Sequence, residues 1–432
     1  MKNVALVLFA LCSFVAYYAI AYHIERTDIG YLLCSVAVLF SAYFYGLQQR
    51  LSIGLIFVLG LAFRLLLSNS FPSLSQDVYR FIWDGNLTLR SISPYAYTPN
   101  EIMAREGFES LRQLYYSMGS LSAGNYSNYP MVNQLMFALG AYFQEPYYGY
   151  RVLIVLADII AFGILMKLIH SSEHKVWALT AYFLNPLVII EGTQNLHFEP
   201  VMVVFFLGAL YALKVKRPLQ AGWLYAASVL TKLLPLMLMP LLLRALGRNS
   251  LGRFGLSFVL FSVLLALLFV GPQWATHWGS SIGLWFSNFE FNPSIYRIYK
   301  EIGRMMGAYD DQLIQAYGYI QIIGILGLVG YLSFKTTHLG QFIRHGYWIL
   351  IAYLITAPTV HPWYLITLVA LAALRRDHIL LLWSGTIFFS YVAYGFEHNE
   401  LPLWLVGLEY LPLAVYAYWI NRSSARSSAL FR

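Results

Sequence analysis

Charge is what this chain is short of. Of its 432 residues only 11% are Asp, Glu, Lys or Arg, whereas 59% are hydrophobic and 17% aromatic. That balance lies far outside soluble globular composition and marks a chain that crosses a membrane many times. Cysteine is scarcer still. Cys12 and Cys34 both sit in apolar runs, so no disulfide framework or cysteine metal pair is available. Also missing are the Gly-rich phosphate loop ending in Gly-Lys-Ser/Thr, the GxGxxG turn, HExxH and CxxC, which leaves no obvious nucleotide cradle or zinc-bound water. No internal repeat is visible, although transporters with paired halves would show one.

What is present are apolar runs bounded by charges and turn residues. They predict spans near 4–22, 30–47, 52–68, 148–169, 176–190, 198–213, 254–272, 316–334, 346–358, 362–374, 379–395 and 403–420. The expected fold class is all-α: a polytopic transmembrane helical protein of about 12–13 spans, with a long external loop carrying juxtamembrane helices. The chain reads as one domain, 1–432. The first run is longer than the core of a signal peptide and is taken as a retained span. Between 219 and 243, Lys232, Pro235 and Pro240 interrupt the run, which reads as a bent or re-entrant hairpin. The short apolar segment 130–143 is expected to dip into the interface without crossing.

The net charge of +8 would point to nucleic acid in a soluble protein. Here the cations first mark sides of a membrane, and no nucleic-acid partner is expected. With the N-terminus in the cytoplasm, Arg50, Lys175, Lys214, Lys216, Arg217, Arg244, Arg248, Arg253, Lys335, Arg344, Arg375, Arg376, Arg422, Arg426 and Arg432 all face inward. The opposite face receives the loop 69–147, the turn 191–197, the loop 273–315, the turn at His361 and the turn 396–402. Asp77, Asp84, Glu191, His197, Glu199, Glu290, Asn292 and His361 thereby converge on one external side, as the ionisable groups of an active site would.

The stretch 75–99, SQDVYRFIWDGNLTLRSISPYAYTP, concentrates that charge. Ser75 is a candidate N-cap, and the helix after it is amphipathic, with Val78, Phe81, Ile82 and Gly85 on one face and Asp77, Arg80 and Asp84 on another. It is expected to lie on the membrane surface, its acidic face toward water or a cavity. The plainer alternative makes Asp77 a favourable N-terminal charge and Arg80–Asp84 a surface pair. Glu191, Asn195, His197 and Glu199 crowd a turn after Asn185-Pro186, where such groups are costly unless hydrated, paired or used. Lys232 and Arg64 are lone cations in apolar runs, positioned either to snorkel or to meet a lipid phosphate. The loop WFSNFEFNPSIYRIYK mixes aromatics with Asn288, Asn292 and Arg297, a composition that suits sugar binding or an interfacial belt. His361, in the His361-Pro362-Trp363-Tyr364 run, is expected at the mouth of a span, exposed rather than in the core.

In order along the chain, DVYRFIWDG, SPYAYTP, YPMVNQ, NPLVIIEGTQNLHFE, TKLLPLMLMP, FNPSIY and HPWYL resemble the GT-C superfamily of integral-membrane glycosyltransferases, in particular bacterial mannosyltransferase-like members. The likeness runs from about residue 60 to 375. It implies an inverting transfer of a hexose, mannose by preference, from a polyprenyl-phosphate sugar to a glycan or glycolipid acceptor at the external face of the bacterial inner membrane. It maps the catalytic carboxylate onto Asp77 and a second acid onto Asp84. Arg80, Arg64, Arg297 and Lys232 become candidates to hold the leaving phosphate. Glu191, His197, Glu199, Asn292, His361 and Tyr364 become candidates to bind or orient sugar. Two departures from the family pattern, Ser91-Ile92-Ser93-Pro94-Tyr95 and Met131, bear on acceptor and sugar identity more than on reaction type. The alternatives are a flippase for a lipid-linked glycan and a glycan ligase or polymerase. No cofactor is implied with certainty, and a divalent cation stays open.

Overall fold

The computed structural model describes residues 2–287, 289–396 and 400–430. Asn288, Arg432 and residues 397–399 of the turn 396–402 lie outside them, as do the side chains of Arg422 and Arg426. Lipid offers no hydrogen-bond partner to a backbone, so the apolar runs close their N–H and C=O groups within helices. Each expected span is helical, and among the described residues the only pairing of extended chain is an isolated bridge between Phe291 and Thr359.

Helices α1 (Lys2–Tyr22), α2 (Ile29–Gln48) and α3 (Ile53–Leu66) open the chain. After the first polar interruption come α4 (Asp77–Leu89), four short helical pieces and α5 (Met131–Ala141). Then follow α6 (Pro146–Leu168), α7 (Ser172–Phe183), a π-helical turn Val188–Gln194, α8 (Glu199–Lys214), α9 (Pro218–Thr231), α10 (Met239–Ala245) and α11 (Arg248–Phe269). The remainder is α12 (Trp274–Ser287), α13 (Ile295–Met305), α14 (Asp310–Phe334), α15 (Leu339–Thr356), α16 (Leu365–Arg375), α17 (His378–Thr386) and α18 (Leu403–Leu430). Among the described residues, five helices are long and apolar enough to cross a membrane alone, and α7 with the π-helical turn, bent by 48°, makes a sixth.

The core forms around α16, which is buried on every side from Leu365 to Ala373. A helix apolar all round belongs at the centre of a bundle. α11, by contrast, exposes Leu260, Leu264, Leu267 and Leu268, as a lipid-facing helix does. The 219–243 run is indeed a hairpin. α9 stops at Lys232, whose backbone is extended, and the Tyr225 hydroxyl donates to the Pro235 carbonyl at 2.7 Å, so the chain has doubled back alongside α9.

α4 and α5 cross at very close range because position 85 is glycine. A Cβ there would lie 2.4 Å from the Phe137 carbonyl oxygen, while Phe81 and Phe137 stack beside it with centroids 4.6 Å apart. Gly85→Ala is therefore expected to push the two helices apart and lower stability by about 1–3 kcal/mol, the usual cost of overpacking. Thermal unfolding of the detergent-solubilised protein measures it.

Candidate active site

Asn185-Pro186 sets the site up. Pro186 brings no N–H to the ladder of α7, and the Asn185 side chain takes over: its Oδ1 accepts from the Leu187 N–H at 2.9 Å and its Nδ2 donates to Ser384 Oγ at 3.0 Å. The chain bends and widens into the π-helical turn, a form found mostly at functional sites. Leu196 then takes a left-handed backbone, φ 64°, an arrangement costing a branched residue about 1–3 kcal/mol. That reversal folds His197, Phe198 and Glu199 back against Glu191.

The groups so placed are buried and paired, not spread along an external turn. Glu191 accepts from Tyr391 Oη at 2.8 Å and Asn195 Nδ2 at 3.0 Å, and it lies 3.9 Å from His197 Nε2. Asn195 Oδ1 accepts from the Leu74 N–H at 3.3 Å and so ties the 69–147 loop to this turn. His197 stacks on Trp363 with centroids 3.6 Å apart, Trp363 on His361 at 4.3 Å, and His361 on Phe291 at 4.6 Å. His361 is thus part of a four-ring column and buried, where the sequence had put it exposed at a mouth. The cause is Phe291: its N–H donates to Pro358 O and its carbonyl accepts from the Val360 N–H, holding the 289–292 segment over the histidine.

Asp77, Tyr129, Lys232 and Tyr364 stay partly exposed amid this packing. The Tyr129 hydroxyl reaches Asp77 Oδ2 at 3.5 Å. Lys232 pairs with Glu199 and lies over the Tyr364 ring, 5.2 Å from its centroid. The lone cation of the hairpin therefore enters the site. Burial raises the Asp77 carboxyl above the usual carboxylate range, while Lys232 and then the Tyr129 hydroxyl oppose the shift. Among the described residues no group of three or more His, Cys, Asp or Glu side chains is set to hold a metal ion.

Five predicted site residues, Asp84, Arg80, Arg64, Arg297 and Asn292, are engaged elsewhere. Asp84 is wholly buried and accepts from Arg80 Nε at 2.8 Å, Ser127 Oγ at 2.5 Å and Gln134 Nε2 at 3.1 Å, while Arg80 also donates to the Ser122 and Asn125 carbonyls. The face of α4 expected to meet water instead clamps the loop, because later loop residues fold over it. Arg64 forms a fully buried ion pair with Asp158 at 2.9 Å and caps the Gly60 and Phe183 carbonyls, so its N–H groups are turned from any lipid phosphate. Arg297 pairs with Glu400 at 2.8 Å and Glu301 at 3.1 Å. Asn292 donates to the buried Glu409 at 2.9 Å, which holds its left-handed backbone, φ 50°, behind Phe291.

Sequence reasoning passed over Asp158, Trp363, Tyr391, Glu400 and Glu409 as site or support residues. Asp158 and Glu409 were findable, since each is an acid inside an apolar run. Nothing in the local sequence marked Tyr391.

The class of protein, a glycosyltransferase, comes from family membership, and the long apolar helices suit a membrane. Residues 15–248 match the model of the MptA_B family, described as alpha-(1->6)-mannopyranosyltransferase, N-terminal domain. This is more than half of the chain, which therefore belongs to that family. The matched stretch includes Asp77, Glu191, His197, Glu199 and Lys232, whereas the column partners Trp363 and His361 lie beyond it. No curated protein and no solved structure matches the chain.

The Arg64–Asp158 pair is open to a direct test. Arg64→Ala leaves a buried carboxylate without its cation and is expected to cost about 3–5 kcal/mol. The double change Arg64→Met with Asp158→Leu should restore most of the loss in thermal unfolding. A phosphate-binding Arg64 would instead leave the double variant stable but raise its KM.

Proposed function

We propose that this protein is an inverting mannosyltransferase taking its sugar from a polyprenyl-phosphate carrier and passing it to a hydroxyl of a glycan or glycolipid at the external face of the cytoplasmic membrane. The observation that carries the reading is that Asp77 and Lys232, far apart in sequence, come near enough for the Lys232 charge to act on the Asp77 carboxyl, both partly exposed and beside Tyr129 and Tyr364. Family membership supports mannosyl transfer over transport of a finished glycan. The external placement is supported by the cations gathered at loops away from this cluster, such as Lys214 against the end of α6 and Arg376 against Glu173.

In this reading the acceptor oxygen attacks C1 of the sugar while its proton passes to the Asp77 carboxylate. The bond from C1 to the phosphate oxygen breaks, and its electron pair leaves with polyprenyl phosphate. Attack opposite the leaving group inverts C1. Lys232 neutralises the charge that develops on the phosphate, and Glu199 fixes the ammonium in place. The buried His197–Trp363–His361 column, its ring faces turned on one another, stiffens the turn that carries Glu199. Asp84 and Arg80 act on the reaction only by anchoring the loop that carries Asp77.

Asp77→Asn should lower transfer from synthetic polyprenyl-phosphate mannose by about 10²–10⁴-fold, the range for loss of a general base, with unfolding temperature little changed. Transfer retained in the folded variant would place the base elsewhere. The base must be ionised, so kcat/KM is expected to fall as pH drops through a value above the ordinary carboxylate range. Removing the opposing cation raises the Asp77 carboxyl further, and Lys232→Met should therefore move that acid limb to higher pH. An unmoved limb would separate the two residues.

A further inference from the structure

Helix α13 (Ile295–Met305) presents three distinct stripes. Tyr296, Lys300 and Gly303 are buried, and a Cβ at position 303 would lie 2.3 Å from the Leu313 side chain, so this stripe sits tightly on the start of α14. Tyr296 and Tyr299 both pack on Tyr317 of α14, with centroids 5.0 and 5.2 Å away. A second stripe, Arg297, Glu301 and Arg304, is taken up by ion pairs with Glu400, with Asp310 and within the helix, and Lys300 beneath it reaches Glu290 at 2.5 Å and Glu400 at 3.0 Å. Burial alone would raise the Glu400 carboxyl, but the hydrogen bonds from Arg297 and Lys300 outweigh it and bring it down to about 2. The polar face of α13 is thus occupied by its own protein.

The third stripe is apolar and uncovered. Ile295, Ile298, Ile302, Met305 and Met306 recur at helical spacing, and Met305 and Met306 are 86% and 82% exposed. Water is a poor neighbour for such a row, and its position along the chain identifies a better one. The helix ends five residues before α14, which runs for 25 residues and is apolar enough to cross the membrane. At 1.5 Å per residue α14 measures roughly 37 Å, so its first turn lies at the headgroup level of a bilayer whose hydrocarbon is about 30 Å thick. α13, packed on that first turn, is held at the same level. An apolar stripe opposite a charged one, at that depth, is the arrangement of a helix lying in the interface.

We propose that α13 is an interfacial anchor whose Ile298–Ile302–Met305 stripe is buried among the acyl chains of the outer leaflet, the partner being the lipid surface itself. The helix follows Phe291 by only a few residues, so the bilayer also supports the segment that closes over His361.

The test uses the full-length protein in phosphatidylethanolamine and phosphatidylglycerol liposomes. Cys12→Ala and Cys34→Ala remove the native thiols, and Ile298→Cys, Ile302→Cys and Met305→Cys, made one at a time, take a nitroxide label. Glu109→Cys on an exposed loop gives the water reference, and Leu267→Cys on α11 the lipid reference. Collisions with dissolved oxygen should exceed those with a water-soluble nickel chelate at all three α13 positions, as at 267 and unlike 109, with a depth shallower than at 267. Nickel-dominated collisions would place the stripe in water and overturn the proposal. Suppression of both collision partners would show protein cover, from a second copy or another chain, and would equally overturn it.

Discussion

A proline that cannot donate a backbone hydrogen bond, set deep in an apolar bundle, governs this structure. At Pro186 the helix must give up its regular ladder, and in lipid the freed groups have no water to turn to. Asn185 answers them with its side chain, against Leu187 and Ser384. The widened turn that results brings Glu191, Asn195, His197 and Glu199 to one level. Every later tie depends on that level: Asn195 fixes the start of the first loop, Glu199 receives Lys232 from the hairpin, and His197 receives Trp363.

Two kinds of charge follow from the same constraint. Arg64 with Asp158, and Arg80 with Asp84, are buried and turned on each other, and their hydrogen bonds also cap carbonyls and hold the loop. Asp77 and Lys232 stay partly exposed. Desolvation makes the first kind costly to break and leaves the second able to respond to a ligand. The proposed division of labour, Asp77 as base and Lys232 as phosphate partner, rests on this contrast.

Much of the fold could be read from composition alone. The order and limits of the apolar runs, the interruption at Lys232 and the end of a helix near Asn185-Pro186 are all visible, because a membrane permits few backbone solutions to a long apolar run. Asp77 and Lys232 were legible as charges out of place. The neighbouring acid Asp84 carried the same signal, yet its carboxylate is closed off by Ser127 and Gln134, which the sequence holds more than forty residues away. Arg297 and Asn292 belong to a stretch rich in aromatic and amide groups, a composition that suits sugar binding. Their partners Glu400 and Glu409 come from the far end of the chain, and no local pattern announces them.

The sequence by itself determined that this protein is helical, spans a membrane and carries a few charges too costly to be idle, since those conclusions follow from hydropathy and from the price of desolvation, residue by residue. The tertiary structure decided which of those charges meet. A buried ion pair and a partly exposed acid look alike in one dimension, and only the packing of α4, α5, α8 and the Lys232 hairpin separates the carboxylate proposed as the base from the one locked against an arginine.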